Sequence, residues 1–203
     1  MAAVTSEMVK ALREKTSAGM MDCKKALDAA AGDMPKAEAW LKEKGLASAA
    51  KKSSREASDG MIEVYSHMGG QMAVIVEVNC ETDFVAKMPE FRELAHDIAI
   101  QVASTAPLYV KKEDVPADVI AAQTEKFKQD AMGEGKKAEI AERIAVGRME
   151  KFYQDNVLLE QVWVKDDKIK IADLVKQKVA KIGENIVVRR FARYQLGETT
   201  QGE

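Results

Sequence analysis

Two runs rich in β-branched and apolar residues, MIEVYSHM at 61–68 and QMAVIVEVN at 71–79, flank the pair Gly69-Gly70. Glycine accepts the positive φ values of a tight turn, and a period of two places Met72, Val74, Val76 and Val78 on one face of a strand. The segment therefore predicts an antiparallel hairpin with one buried face. The next strand-like run, ENIVVRRFARYQL at 184–196, lies more than a hundred residues downstream. A small three-stranded antiparallel sheet, closed late by the C-terminal segment, is the expected result.

Helical periodicity fills the interval, over 91–104, 117–132, 136–152 and 171–182. The middle two segments are similar in length, dense in Glu and Lys, and joined by the breaker Gly133-Glu134-Gly135, as an antiparallel helical hairpin over 117–152 requires. Ile120, Phe127, Ile140 and Ile144 are expected to form its narrow seam. With so few large apolar residues, the pair predicts a protruding coiled coil that keeps much of its surface in water.

Ahead of the sheet, three short helices are predicted over 4–15, 22–31 and 35–44. Ser17 to Gly19 would end the first, Asp22 would cap the second, and Asp33 with Pro35 would open the third. Val9, Leu12, Ala26, Leu27, Ala37, Trp40 and Leu41 recur at helical spacing and can close a small core. The stretch LASAAKKSSREAS at 46–58 turns abruptly small and basic, as a linker or a solvated helix extension would. The fold class is thus α+β: an N-terminal three-helix module at 1–53, then a core at 54–203 that contains the sheet, its packing helices and the protruding hairpin.

Composition narrows the function. The 203 residues are 32% charged and 46% apolar with a net charge of -2, which describes a globular chain without a global basic field for nucleic acid. Cys23 and Cys80 lack CxxC spacing, and with only His67 and His96 to add, the set argues against zinc. The N-terminal MAAVTSEMVKALREK is charged and has no continuous apolar run, so a cytosolic protein without a membrane anchor is expected. Both thiols would then be reduced and packed as small apolar groups, or one would be exposed and pair between chains.

Signs of catalysis are absent from the sequence. It holds no GxxxxGK[ST], GxGxxG after a strand, GxSxG or HExxH, and GEGKK near Gly133 follows a helix and lacks a Ser or Thr for magnesium. Neither histidine has an evident nucleophile partner. No enzyme and no cofactor are expected. Two segments stand out instead. In VNCETDFVAKMPEF, a strand ends and a polar turn leads to a helix at Thr82, Asp83, Phe84 and Val85; on these four residues alone, Thr82 or Asp83 caps the helix and Phe84 folds back into the core. Met20 and Met21 lie between the first two helices, either as a partner contact or as a lid on the small core.

Taken together, LREKTSAGMMDCKKAL, AAKKSSREASDGMIEVY, VNCETDFVAK, EIAERIAVGRMEKF and KIGENIVVRR closely resemble the translation elongation factor Ts family over nearly the whole chain. The resemblance implies a guanine nucleotide exchange factor that binds elongation factor Tu in its GDP form, perturbs the magnesium and phosphate site there, and so promotes GDP release and GTP entry. It implies an N-terminal module similar to ubiquitin-associated domains, docking on Tu through the region of Leu12, Met20 and Met21. Thr82 to Val85 match the family's magnesium-dislodging motif, with Phe84 as the wedge and Asp83 fixing the loop. The hairpin at 117–152 resembles the family's coiled-coil protrusion, which adds a contact to Tu. Longer members carry two similar core subdomains where this chain has one, so a homodimer forming a two-plus-two complex with Tu is expected.

Two other classes compete. A nucleic-acid module would use Lys51, Lys52, Arg55, Arg189, Arg190 and Arg193, although Arg189 and Phe191 alternate onto the face of Val187 and the net charge gives no support. An enzyme would need Cys80 as a low-pKa nucleophile beside Glu81 and Asp83, whose charges act in the wrong direction.

Overall fold

The computed structural model describes residues 4–16 and 18–198; Ser17 of the first helix break lies outside the described residues. Three helices come first: α1 (Ser6–Thr16), α2 (Met20–Ala29) and α3 (Met34–Lys52). Leu12, Cys23, Ala26, Leu27 and Ala37 are fully buried between them, with Val9 and Leu41 nearly so. Asp33 caps α3 by accepting the Lys36 N–H at 3.0 Å, with Pro35 in the first turn, as the sequence predicts. That hydrogen bond holds the Asp33 carboxyl below its ordinary range.

Two expectations for this region need correcting. Gly19, not Asp22, occupies the N-cap of α2, and Asp22 lies within the first turn, where it pairs with Lys44 of α3. Further, α3 does not stop at 44 but runs to Lys52, so most of the small, basic stretch is helix. The small side chains have a reason to be there: a Cβ on Gly45 would lie 3.2 Å from Ala180 Cβ, and Ala49 is buried in the main core. Close approach to a later helix, α8 (Ile171–Ile182), selects small residues in a stretch that composition alone reads as a linker or a solvated helix extension.

The sheet consists of β1 (Asp59–His67), β2 (Met72–Cys80) and β5 (Val187–Gln195) in the order β1-β2-β5, antiparallel throughout. Gly69 and Gly70 adopt positive φ in the β1–β2 turn. Val74, Val76 and Val78 are fully buried on the inner face of the central strand. Against them lies α5 (Pro89–Thr105), which contributes Phe91, Leu94, Ile98 and Val102; α8 packs on α3 and α5 and adds Ile171, Leu174 and Val179 to the same core. One apolar layer thus lies between sheet and helices.

β5 departs from strict alternation. Val78 pairs with Val188 while Glu77 pairs with Arg190, so Arg189 is the extra residue of a β-bulge. Phe191 consequently shares the inner face with Val188 instead of Val187, and Arg189 and Arg190 are both exposed. The single slip also turns the basic residues out of the core.

Between β2 and β5 the chain forms the one-turn α4 (Asp83–Ala86), α5, the pair α6 (Ala117–Gly133) and α7 (Ala138–Asn156), a two-stranded ribbon of β3 (Val162–Trp163) and β4 (Asp166–Lys170), and α8. α6 and α7 pack as the expected helical hairpin, extending slightly past 152. Its seam differs in kind. Ala131, Ala141, Ala145 and Met149 are buried there, Ile120, Phe127 and Ile144 only half so, and Ile140 is exposed. Alanines let the helix backbones approach closely, and ion pairs at the distal end, Arg148–Glu134 (2.7 Å) and Lys128–Glu142 (3.1 Å), supply polar stitching. The β3–β4 ribbon has too few residues for a periodic signal. It is fastened by the buried Gln101 of α5, which donates to the Val162 carbonyl and accepts the Val164 N–H.

Gly60 sits at φ 143° opposite Asn79, where a Cβ would collide with the Val78 carbonyl oxygen and lie 2.7 Å from Asn79 Cα. Neither obstacle is a side chain that can rotate away. Gly60→Ala is therefore expected to lower stability by about 3 kcal/mol, read as a drop in the urea midpoint at unchanged slope.

Candidate functional site

Thr82 ends the extended chain of β2 with φ -133° and ψ 155°, and its Oγ accepts the Val85 N–H at 3.4 Å, so it is the N-cap of α4. Asp83 follows in the first turn and pairs with Lys87 at 2.6 Å; the hydrogen bond from Lys87 holds its carboxyl below the ordinary range and raises the ammonium. Val85 and Ala86 are buried in the main core. Phe84 is 79% exposed. Its ring projects into solvent instead of folding back, which overturns the expectation drawn from the four residues alone. A large aromatic held out in water on a capped, core-anchored turn has no role in folding that its neighbours do not already fill.

What holds this turn was not legible from the local sequence. The Glu184 carboxylate, just past the C-terminus of α8, accepts three hydrogen bonds: Glu81 N–H and Thr82 N–H at 3.0 Å each, and Thr82 Oγ–H at 2.7 Å. Glu81 returns the contact by accepting the Asn185 N–H at 2.6 Å. Asn185, itself buried, donates through Nδ2 to the carbonyls of Arg55 (2.8 Å) and Ser53 (3.4 Å), while Arg55 lies 3.5 Å from Glu81. Three segments remote in sequence meet at this node. No motif announces it, since Gly183-Glu184-Asn185 reads only as a helix stop followed by a strand.

The other singled-out residues lie on the three-helix unit. Met20 and Met21 open α2 and are 42% and 66% exposed, so they face solvent and do not cover the small core. Leu12 is fully buried in that core and can only support the surface from beneath. The structure does not bring these three together with Thr82–Val85, which anchor to the other apolar cluster.

Both rival constellations come apart. Arg55 faces Glu81, Arg190 pairs with Glu77 at 2.7 Å, and Arg193 pairs with Glu198 at 2.7 Å, so three of the six basic candidates are paired with acids of the chain's own fold. Cys80 is fully buried and donates to the Thr82 carbonyl; burial, then the Glu184 charge, pushes its thiol up to about 11. Such a thiol is inert. Cys23 is also buried, which removes the alternative of a pairing between chains. Among the described residues, no three His, Cys, Asp or Glu side chains converge as metal ligands, and no helix is long and apolar enough to cross a membrane.

A chain that presents apolar side chains on rigid turns, and buries its one thiol near the site, is built to act by contact on another macromolecule. Comparison with known proteins shows the family. The family model for Elongation factor TS matches residues 41–198. The chain is 55% identical to Elongation factor Ts of Moorella thermoacetica over 190 residues, 94% of either chain. It is 56% identical to the proteins of the same name from Anaeromyxobacter dehalogenans (198 residues, 98% of this chain and 90% of the relative) and Herpetosiphon aurantiacus (194 residues, 96% and 98%). The chain belongs to the elongation factor Ts family, the nucleotide exchange factors of elongation factor Tu in translation elongation, and it is not an enzyme.

Burial of both cysteines has a direct consequence. The native protein is expected to resist alkylation and disulfide reagents at pH 7.5, and both thiols are expected to react together once guanidinium unfolds it.

Proposed function

We propose that exchange works through Phe84: the exposed ring wedges into elongation factor Tu near the nucleotide, displaces the magnesium and phosphate contacts there, and so speeds GDP loss. The observation that supports this is an aromatic side chain 79% exposed at the tip of a fixed turn. The energetics are linkage. If the factor and GDP favour incompatible arrangements of one site, each weakens the other by the same factor, and no covalent step is needed. Asp83, tied to Lys87, keeps the turn closed beneath the ring. Magnesium loss leaves the diphosphate charge less neutralised.

Three further parts complete the reading. The unit at 1–53 docks through Met20 and Met21, supported from within by Leu12, while the unit at 54–203 carries the wedge; the two separate apolar clusters support that division. The hairpin over 117–152 adds a contact near its distal end, where Met132 and Ile140 are exposed. Two copies of the chain associate, giving a two-plus-two complex with elongation factor Tu. Supporting the homodimer is the outer face of the sheet, where Ile62 (60% exposed) and Val64 (63%) of β1 lie beside Ile75 of β2, and Ile75 pairs across to Ala192 of β5. An antiparallel sheet with one solvated face carries polar residues there, and an apolar stripe calls for a covering layer. A second sheet, packed face to face about 10 Å away, supplies one.

The wedge is tested by stopped-flow release of a fluorescent GDP analogue from elongation factor Tu. The parent protein is expected to accelerate release in a concentration-dependent way. Burying a phenyl ring is worth about 2–3 kcal/mol, so Phe84→Ala is expected to slow saturated release by roughly 30- to 150-fold with folding intact. A parental rate for the variant would defeat the wedge.

The dimer is tested by sedimentation at assay concentrations. The parent is expected to sediment as a dimer and the Ile62→Asp/Val64→Asp double variant as a folded monomer, while a monomeric parent with full activity would exclude the second copy.

A further inference from the structure

We propose that Glu184 is the positioning residue for the Phe84 wedge, holding the β2–α4 turn from the far side of the chain. The inference rests on the wedge reading above and deepens it. α4 is a single turn, and a helix that short has no stability of its own. Its geometry is therefore set by its anchors. On one side Val85 and Ala86 enter the core; on the other, the Glu81 and Thr82 amides and the Thr82 carbonyl and hydroxyl are tied down. Glu81 and Thr82 give both N–H groups to Glu184 Oε2, Thr82 gives its hydroxyl proton to Oε1, and the Thr82 carbonyl accepts from Cys80 Sγ.

The carboxylate does one thing that a neutral group cannot do as well. Thr82 Oγ must accept the Val85 N–H to cap α4. By taking the hydroxyl proton, Glu184 fixes the rotamer in which an oxygen lone pair faces Val85. The reciprocal bond from Asn185 N–H to Glu81 keeps Glu184 opposite the turn, so the two segments clasp each other backbone to side chain in both directions. A wedge must be rigid before it meets its partner, because any fraction of time spent in other conformations lowers the effective rate by that fraction.

The test is a mutant cycle on saturated GDP release, with half-saturating concentration and amide exchange as independent readouts. Glu184→Ala is expected to slow saturated release about tenfold, the fraction by which a loosened turn is depleted of the competent conformer. The half-saturating concentration should change little, since the remaining contact surfaces are untouched. Glu184→Gln should fall between the parent and Glu184→Ala, because its amide oxygen still accepts both N–H groups while its NH2 cannot take the Thr82 hydroxyl proton. In the Phe84→Ala background, Glu184→Ala should cost nothing further, the signature of two residues acting as one. The Thr82 and Val85 amides should exchange at least tenfold faster in Glu184→Ala, while those of Val76 and Val78 in the middle of β2 remain protected. Should Glu184→Ala fail to fold, Glu184→Asp, which withdraws the carboxylate by one methylene, takes its place in the same cycle.

Full-rate exchange by Glu184→Ala while Phe84→Ala is slow would overturn the inference and leave the wedge standing. An equal loss in both backgrounds would overturn it in favour of a purely structural role. A parental rate for Phe84→Ala would instead bring down the wedge reading, and this inference with it.

Discussion

The pairing of β2 with β5 across a separation of 110 residues, Val78 against Val188, is the constraint on which the remaining structure depends. A central strand with three fully buried valines needs partners on both edges, and only one is supplied locally by the hairpin. Everything between β2 and β5 must form a closed excursion that returns the chain to the same edge. α5 uses that excursion to cover the inner face, α8 packs behind it on α5 and α3, and the α6–α7 hairpin is extruded from it. The end of β2 and the start of β5 are then neighbours by register, Asn79 beside Val187. The clasp between Glu81–Thr82 and Glu184–Asn185 is a continuation of that ladder by side chains after the strands have ended.

This arrangement divides the chain into fixed and presented parts. Glu77 with Arg190, Glu81 with Arg55 and Glu134 with Arg148 show the same habit: basic residues are spent on acids of the chain's own fold. What remains exposed at Phe84, Met20, Met21, Ile62 and Val64 is apolar, and each lies on a regular helix turn or strand. The chemistry on offer is surface area in a defined orientation, which is what an exchange factor contributes.

Much of this was legible in the sequence. The period of two in β2 and the Gly69-Gly70 turn identified the hairpin, α8 fell over 171–182 as expected, and the blocks from LREKTSAGMM to KIGENIVVRR marked the family. The misreadings share a cause, in that each needed a long-range neighbour to be known. Alanines in the α6–α7 seam are invisible to a search for large apolar residues, which turns Ile140 inward although it is exposed. The end of α3 is small because α8 lies against it. A bulge at Arg189 shifted the inner face of β5 by one residue, and Glu184 carries no local sign of the loop it holds.

α3 has one property that follows from its continuity. It gives Ala37 and Leu41 to the three-helix cluster and Ala49 to the main core without a break. Because one α-helical residue advances the chain by 1.5 Å and about 100°, the helix is a shaft whose length in residues sets the angle between what is mounted at its two ends. Side chains on the exposed face of α3 can change without altering that angle, but an insertion or deletion of one residue would turn the methionine surface to a different quarter of the molecule. The number of residues between its two ends, whatever lines the exposed face, sets that angle.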